Sequence, residues 1–184
     1  MSYRWLRAGR LAVLAIALAA TSVGAQTPAA TSTAARPPDV ASPQAVVTAL
    51  YDVISGPASR DRDWDRLRSL FAPGARLVFV LAGPSGPQLY NLTVDEFITL
   101  AGPGYQSGEG FWEREVGHHV DRFGAIAQVF STYESRFTGP NGPVGERGIN
   151  SVQMLRHQDR WWITNLVFDT ESASNPIPPE YVNR

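Results

Sequence analysis

IAQVFSTYESRF, residues 126–137, decides how this chain folds. It has no Gly or Pro and is rich in β-branched and aromatic side chains, so it reads as one long strand. Side chains alternate across a strand. One face then carries Ala127, Val129, Ser131, Tyr133, Ser135 and Phe137. The other carries Ile126, Gln128, Phe130, Thr132, Glu134 and Arg136. Neither is a plain solvent face, although a half-exposed antiparallel sheet has one. Something must therefore cover the more polar face too, at least around Ile126 and Phe130.

Outward from this strand the pattern repeats. GFWEREVGHHV (110–120), GINSVQMLRH (148–157) and RWWITNLVFD (160–169) read as further strands, with Gln158-Asp159 as a tight turn between the last two. The adjacent Trp161 and Trp162 should point to opposite faces. ARLVFVLA (75–82) is an earlier strand, and GPSGPQ (83–88) after it reads as a loop. Before and between these the apolar period is helical. Ser42-Pro43 opens a helix carrying Val46, Val47, Leu50, Tyr51 and Ile54, ended by Gly56-Pro57. Residues 63–71 form a second, with Trp64, Leu67, Leu70 and Phe71 on its stripe. Thr93 and Glu96 make a capping box for a third, which breaks near Gly102-Pro103. The layout is α+β, with three N-terminal helices packed on one face of a curved antiparallel sheet.

The ends read differently. Arg4, Arg7 and Arg10 precede the apolar run 11–20, and Val23 and Ala25 occupy the small-residue positions of a cleavage site. Residues 1–25 are a secretory signal peptide by this pattern, too short in its apolar run for a bilayer-spanning helix. No stable membrane anchor is expected after cleavage, and the mature chain is periplasmic or secreted. Cleavage takes three arginines and no acid, moving the formal charge from −1 to −4. That balance argues against nucleic-acid binding. The chain has no cysteine, which excludes disulfides, thiolate metal sites and a cysteine nucleophile. Residues 26–41 read as a flexible tether, 42–172 as the domain and 173–184 as a proline-rich tail.

Four segments carry a resemblance to a known family. LRSLFAPGARL (67–77), FGAIAQVFSTYESR (123–136), RGINSVQMLR (147–156) and DRWWITNLVFD (159–169) look like elements of the NTF2-like superfamily. That superfamily includes ketosteroid isomerase-like and SnoaL-like proteins. The resemblance implies a cone-shaped α+β fold with a central cavity, and a homodimer formed sheet against sheet. The second subunit would cover Ile126 and Phe130. Isomerase-like relatives place a carboxylate base on the first strand, but 75–82 contains no acid. Cyclase-like relatives use a histidine and an aspartate. His119 and Asp121, two apart on one strand face, are the candidate catalytic pair here, or equally a solvent-facing polar pair.

No metal site is expected: of the three histidines His118, His119 and His157, the adjacent two point to opposite faces and make a poor site, even with Glu113 or Glu115 as a third ligand. Glu113 and Glu115 share a face and suggest paired carboxylates. A cross-strand ladder with Arg136 or Arg156 explains them more simply. Candidate cavity liners are Tyr51, Trp64, Phe79, Trp112, Tyr133, Met154 and Asn165. Three functions remain open at this level. The chain binds a small apolar ligand in the cone. It is an enzyme using His119 and Asp121 or another pair. Or it is an interaction module whose cavity is filled by its own side chains. No cofactor is implied by any of them.

Overall fold

The computed structural model describes residues 34–83 and 86–182. The signal peptide read at 1–25 lies outside the described residues. No described helix is long and apolar enough to cross a membrane. Part of the stretch read as a tether, ahead of Ser42, is structured. Pro37–Val40 forms a 3-10 turn, Val40 is buried, and Asp39 pairs with Arg66 at 2.7 Å.

Helix α1 (Pro43–Ile54) starts as its sequence dictates: the Ser42 hydroxyl accepts from the Ala45 amide at 3.1 Å, with proline in the first turn. It buries Val46, Val47, Leu50, Tyr51 and Ile54. The two-residue strand β1 (Gly56–Pro57) follows, then α2 (Trp64–Leu70), capped by Asp63. Between them Arg62 is buried and donates to the carbonyls of Ile54, Gly56, Pro57, Arg60 and Tyr105. One guanidinium thus satisfies the helix-end carbonyls of Ile54 and Tyr105 together with three carbonyls of the connecting segment.

Phe71 is the first residue of β2 (Phe71–Gly83) rather than the last of α2. The segment read as a loop at 83–88 opens a further strand, β3 (Gly86–Leu92), which pairs antiparallel with β2. Its Gly and Pro content hides it: an edge strand tolerates proline because one row of its amides needs no partner. Helix α3 (Val94–Tyr105) has the expected capping box. The Glu96 carboxylate accepts from the Thr93 amide at 2.7 Å. It continues through Pro103 to Tyr105 and lies after β2 and β3 in sequence. The three helices therefore do not all precede the sheet.

β4 (Gly110–Phe123), β5 (Ile126–Arg136), β6 (Glu146–His157) and β7 (Arg160–Thr170) form a long antiparallel meander. The sheet order is β1-β4-β5-β6-β7-β2-β3, with β2 parallel to β7 and all other pairs antiparallel. Gln158 and Asp159 both take left-handed backbone at φ 50 and 60, as a two-residue hairpin requires. The core lies between the helices and the inner sheet face, and Trp161 points into it at 2% exposure. Trp162 points the other way and stacks under the Arg160 guanidinium at 3.5 Å.

The outer face is covered at one end by the chain itself. The segment after β7 folds back so that Tyr181 packs on Phe130, with ring centroids 5.4 Å apart. The Tyr181 carbonyl accepts from the Thr132 hydroxyl at 2.6 Å. Gly117 lies under this strap, where a Cβ would overlap that same carbonyl. A hollow of about 240 Å³ lies beside it, between Ile177 and the strands below. At the other end the registers align Phe123, Ile126, Leu155 and Trp162 across four strands. Phe123 is 83% exposed and Ile126 56%.

Candidate functional site

Strand β4 makes the site. It pairs one-to-one with β5 from Trp112↔Arg136 to Glu115↔Tyr133, then resumes at Gly117↔Thr132, leaving Val116 over. This bulge re-aims every later side chain. Glu113 and Glu115 share the inner face with Ser135 and Tyr133. Beyond the bulge the inner face passes to His118, opposite Ser131. His119 and Asp121 fall outside, opposite Phe130 and Gln128.

Between the helices and the inner face lies a cavity of about 450 Å³. Its walls are mainly aliphatic and aromatic. Phe79 stands at the centre of one wall, stacked on Phe168 at 4.6 Å and on Tyr90 at 5.1 Å, with Phe97 edge-on at 6.4 Å. Tyr105 from α3, Phe111 from β4 and Tyr133 from β5 form the opposite wall. The exposed lining residues Leu81, Leu100 and Glu146 mark where it meets solvent.

The polar groups in the cavity are few, and Glu113 is the one that stands out. Among the described residues its carboxyl has no ion-pair partner. Burial pushes its pKa up to about 8, the nearby Glu146 charge adds to this, and the Asn150 amide opposes it. Glu113 keeps some exposure because it borders the cavity, yet protein atoms surround it closely enough to strip most of its water. The desolvation is the better guide to its charge state, because a narrow apolar cavity solvates an ion poorly. Burial, and after it the Glu113 charge, also raises the Tyr51 and Tyr105 phenols well beyond the ordinary range. The Tyr133 phenol, likewise raised first by burial, is pushed up to about 12.

Behind Glu113 runs a chain of hydrogen bonds with a single direction. The Asn150 amide donates to the Tyr51 hydroxyl at 3.1 Å. The Tyr51 and Ser131 hydroxyls are 2.7 Å apart, and Ser131 donates to Glu115 at 2.6 Å. Gln44 also donates to Glu115 at 2.6 Å. Because Ser131 spends its proton on Glu115, Tyr51 must donate to Ser131. The chain holds Asn150 rigidly at the cavity wall.

Phe79 and Tyr133 line the cavity directly, and Tyr51 supports it through Asn150. The other expected liners stand elsewhere. Trp64 packs on Tyr105 at 6.0 Å from outside the cavity. Trp112 pairs with Arg136 on the outer face of β4. Met154 lies on the inner face but in the core, away from the lining residues. Asn165 is turned outward by a second bulge, between the Gln153 and Met154 pairings of β6 with β7. His119 and Asp121 do bond to each other, at 3.1 Å, on the exposed outer face. They border a shallow cleft with Tyr181, not the cavity. The Glu113 and Glu115 ladder to Arg136 or Arg156 does not form. Arg136 goes to Glu134 at 2.9 Å and Arg156 to Asp159 at 3.3 Å. Among the described residues no three His, Asp or Glu side chains converge where a metal ion could sit.

A seven-stranded, mostly antiparallel sheet with three helices, and an apolar cavity between them, defines an α+β fold consistent with a cone. Solved structures agree. An NTF-2-like protein of unknown function from Silicibacter pomeroyi superposes with TM-score 0.51 at 20% identity, covering 70% of this chain and 92% of that one. A protein of unknown function with a cystatin-like fold from Nostoc punctiforme gives 0.54 at 8% identity, covering 71% and 89%. A protein of unknown function from Mycobacterium tuberculosis gives 0.52 at 11%, covering 74% and 75%. No protein-family model matches the sequence, and no curated protein does. The fold of this chain is NTF2-like.

Proposed function

We propose that the chain is an exported protein, with residues 1–25 removed, that binds a small and largely apolar molecule in the cone. One polar group of that molecule meets Glu113. The observation that carries this reading is a cavity of about 450 Å³ with aromatic walls and a single desolvated carboxyl. Apolar pockets with few convergent polar groups are the usual form of a small-molecule site.

A second reading rests on the same carboxyl. A group that titrates near neutrality inside an apolar cavity is also placed to exchange a proton with whatever is bound. For the outer face we propose a second copy of the chain. Support comes from the apolar row Phe123, Ile126, Leu155 and Trp162, which runs across four strands.

Native mass spectrometry of the gently purified mature protein tests the binding reading. The expected spectrum shows a retained small molecule in addition to the protein mass. An empty protein that also takes up none of a series of apolar probes overturns it. Release of the bound molecule chemically unaltered separates a binder from an enzyme.

A further inference from the structure

The cavity has a sign. Its lining includes two acidic side chains, Glu113 within and Glu146 at the opening, and no Arg or His. This is notable in a chain with 16 basic residues, all arginine. Two other ionic groups of the interior are compensated within the fold. Glu134 meets Arg114 at 3.1 Å and Arg136 at 2.9 Å, and Arg62 is bound by five carbonyls. Glu113 has the Asn150 amide but no cationic partner among the described residues, and it faces the space where a ligand would lie. A buried ion left without a partner is costly, so a ligand that supplies the opposite charge gains what the fold has withheld.

Resting on the binding reading above, we infer that the ligand is a lipophilic amine, its ammonium paired with Glu113 and its apolar body among the aromatic walls. Three features favour a cation over the alternatives. A carboxylate ligand would meet two acids and no cationic donor. A neutral alcohol fills the same apolar space and bonds Glu113, but gains nothing from its charge. An ammonium gains the ion pair and also the faces of Tyr105, Tyr133 and Phe111, since aromatic quadrupoles attract cations. The groups facing Glu113 reinforce this. Tyr51 from α1, Tyr105 from α3 and Tyr133 from β5 stay neutral up to high pH, and Glu146 from β6 adds negative charge. Glu113 is the group that changes charge near neutrality, and an amine that pairs with it displaces a proton.

Titration calorimetry with three matched probes tests the inference on the mature full chain: n-octylamine, 1-octanol and octanoate. The amine is expected to bind tightest and octanoate weakest. At pH 7.5 the lead of amine over alcohol should be on the order of tenfold, one charge-assisted contact. Glu113→Gln, which keeps the shape of the site, should abolish that lead. In the unmodified protein, amine affinity should rise between pH 6 and 8.5 while octanol affinity stays flat. That series holds even if the variant fails to fold. An alcohol or carboxylate that binds as tightly as the amine overturns the inference, as does an amine affinity without pH dependence. If octanol binds and the amine shows no lead, only the choice of ligand class fails. If none of the three binds, the apolar-cavity reading fails with it.

Discussion

Glu113 places an acid where the fold gives it little water and no counter-ion. Its effect on stability has a definite sign. An unfolded carboxyl ionises near its ordinary value of 4.5, but the folded one holds its proton to about 8. Below pH 4.5 both states are protonated and nothing is lost. Between those values only the unfolded state ionises, so stability falls as pH rises and the loss is complete above about 8. The full effect is on the order of 5 kcal/mol, since each tenfold gain in proton affinity on folding is worth about 1.4 kcal/mol. Chemical denaturation from pH 5 to 9 should show this slope in the unmodified protein and not in Glu113→Gln. Parallel curves for the two would mean that Glu113 is solvated. The sequence makes Glu113 visible as half of a carboxylate pair with Glu115. It does not say that Ser131 and Gln44 satisfy Glu115, since those partners lie 16 and 71 residues away. Only tertiary packing separates one acid from the other.

At the scale of elements, helices announce themselves by period and caps, and strands by composition. Helix α1, the capping box of α3, the hairpin turn at Gln158-Asp159 and strands β5 to β7 are all legible for that reason. Bulges are not. A single extra residue exchanges the faces of everything beyond it, and nothing local in Val116 signals that it will be left unpaired. That one residue separates Glu113, inside, from His119 and Asp121, outside. The strap is a further element held by long-range contacts. Gly117 admits it only because no Cβ competes with the Tyr181 carbonyl. Gly117→Ala should lift the strap and cost about 1–3 kcal/mol, the usual range for overpacking. Hydrogen exchange at Tyr181 and Val182, whose amides bond Pro178 and Pro179, should accelerate in that variant while sheet amides remain protected. Unchanged exchange would show that the strap does not depend on this contact.

On the scale of the whole molecule, both faces of the sheet are in use, as the alternation in residues 126–137 requires. The inner face holds the core and the cavity. The outer face is divided: the strap covers Phe130 and Thr132, while Phe123, Ile126 and Leu155 remain exposed. The sequence showed that something must cover Phe130. It could not show that the cover is the same chain, because a proline-rich tail has no period to read. A second copy seated on the exposed row predicts twice the monomer mass in sedimentation of the mature protein at micromolar concentration. Ile126→Glu should return it to the monomer, and a monomeric unmodified protein would leave that row without a partner. The strap also imposes an order in time. It follows β4, β5 and β6 along the chain, so a ribosome completes every strand it crosses before making Tyr181. A sheet that forms before the strap docks would leave Phe130 bare, a surface that invites association with other unfinished chains. Docking of the strap closes that window, so a chain clipped after Thr170 would keep it open for its whole lifetime.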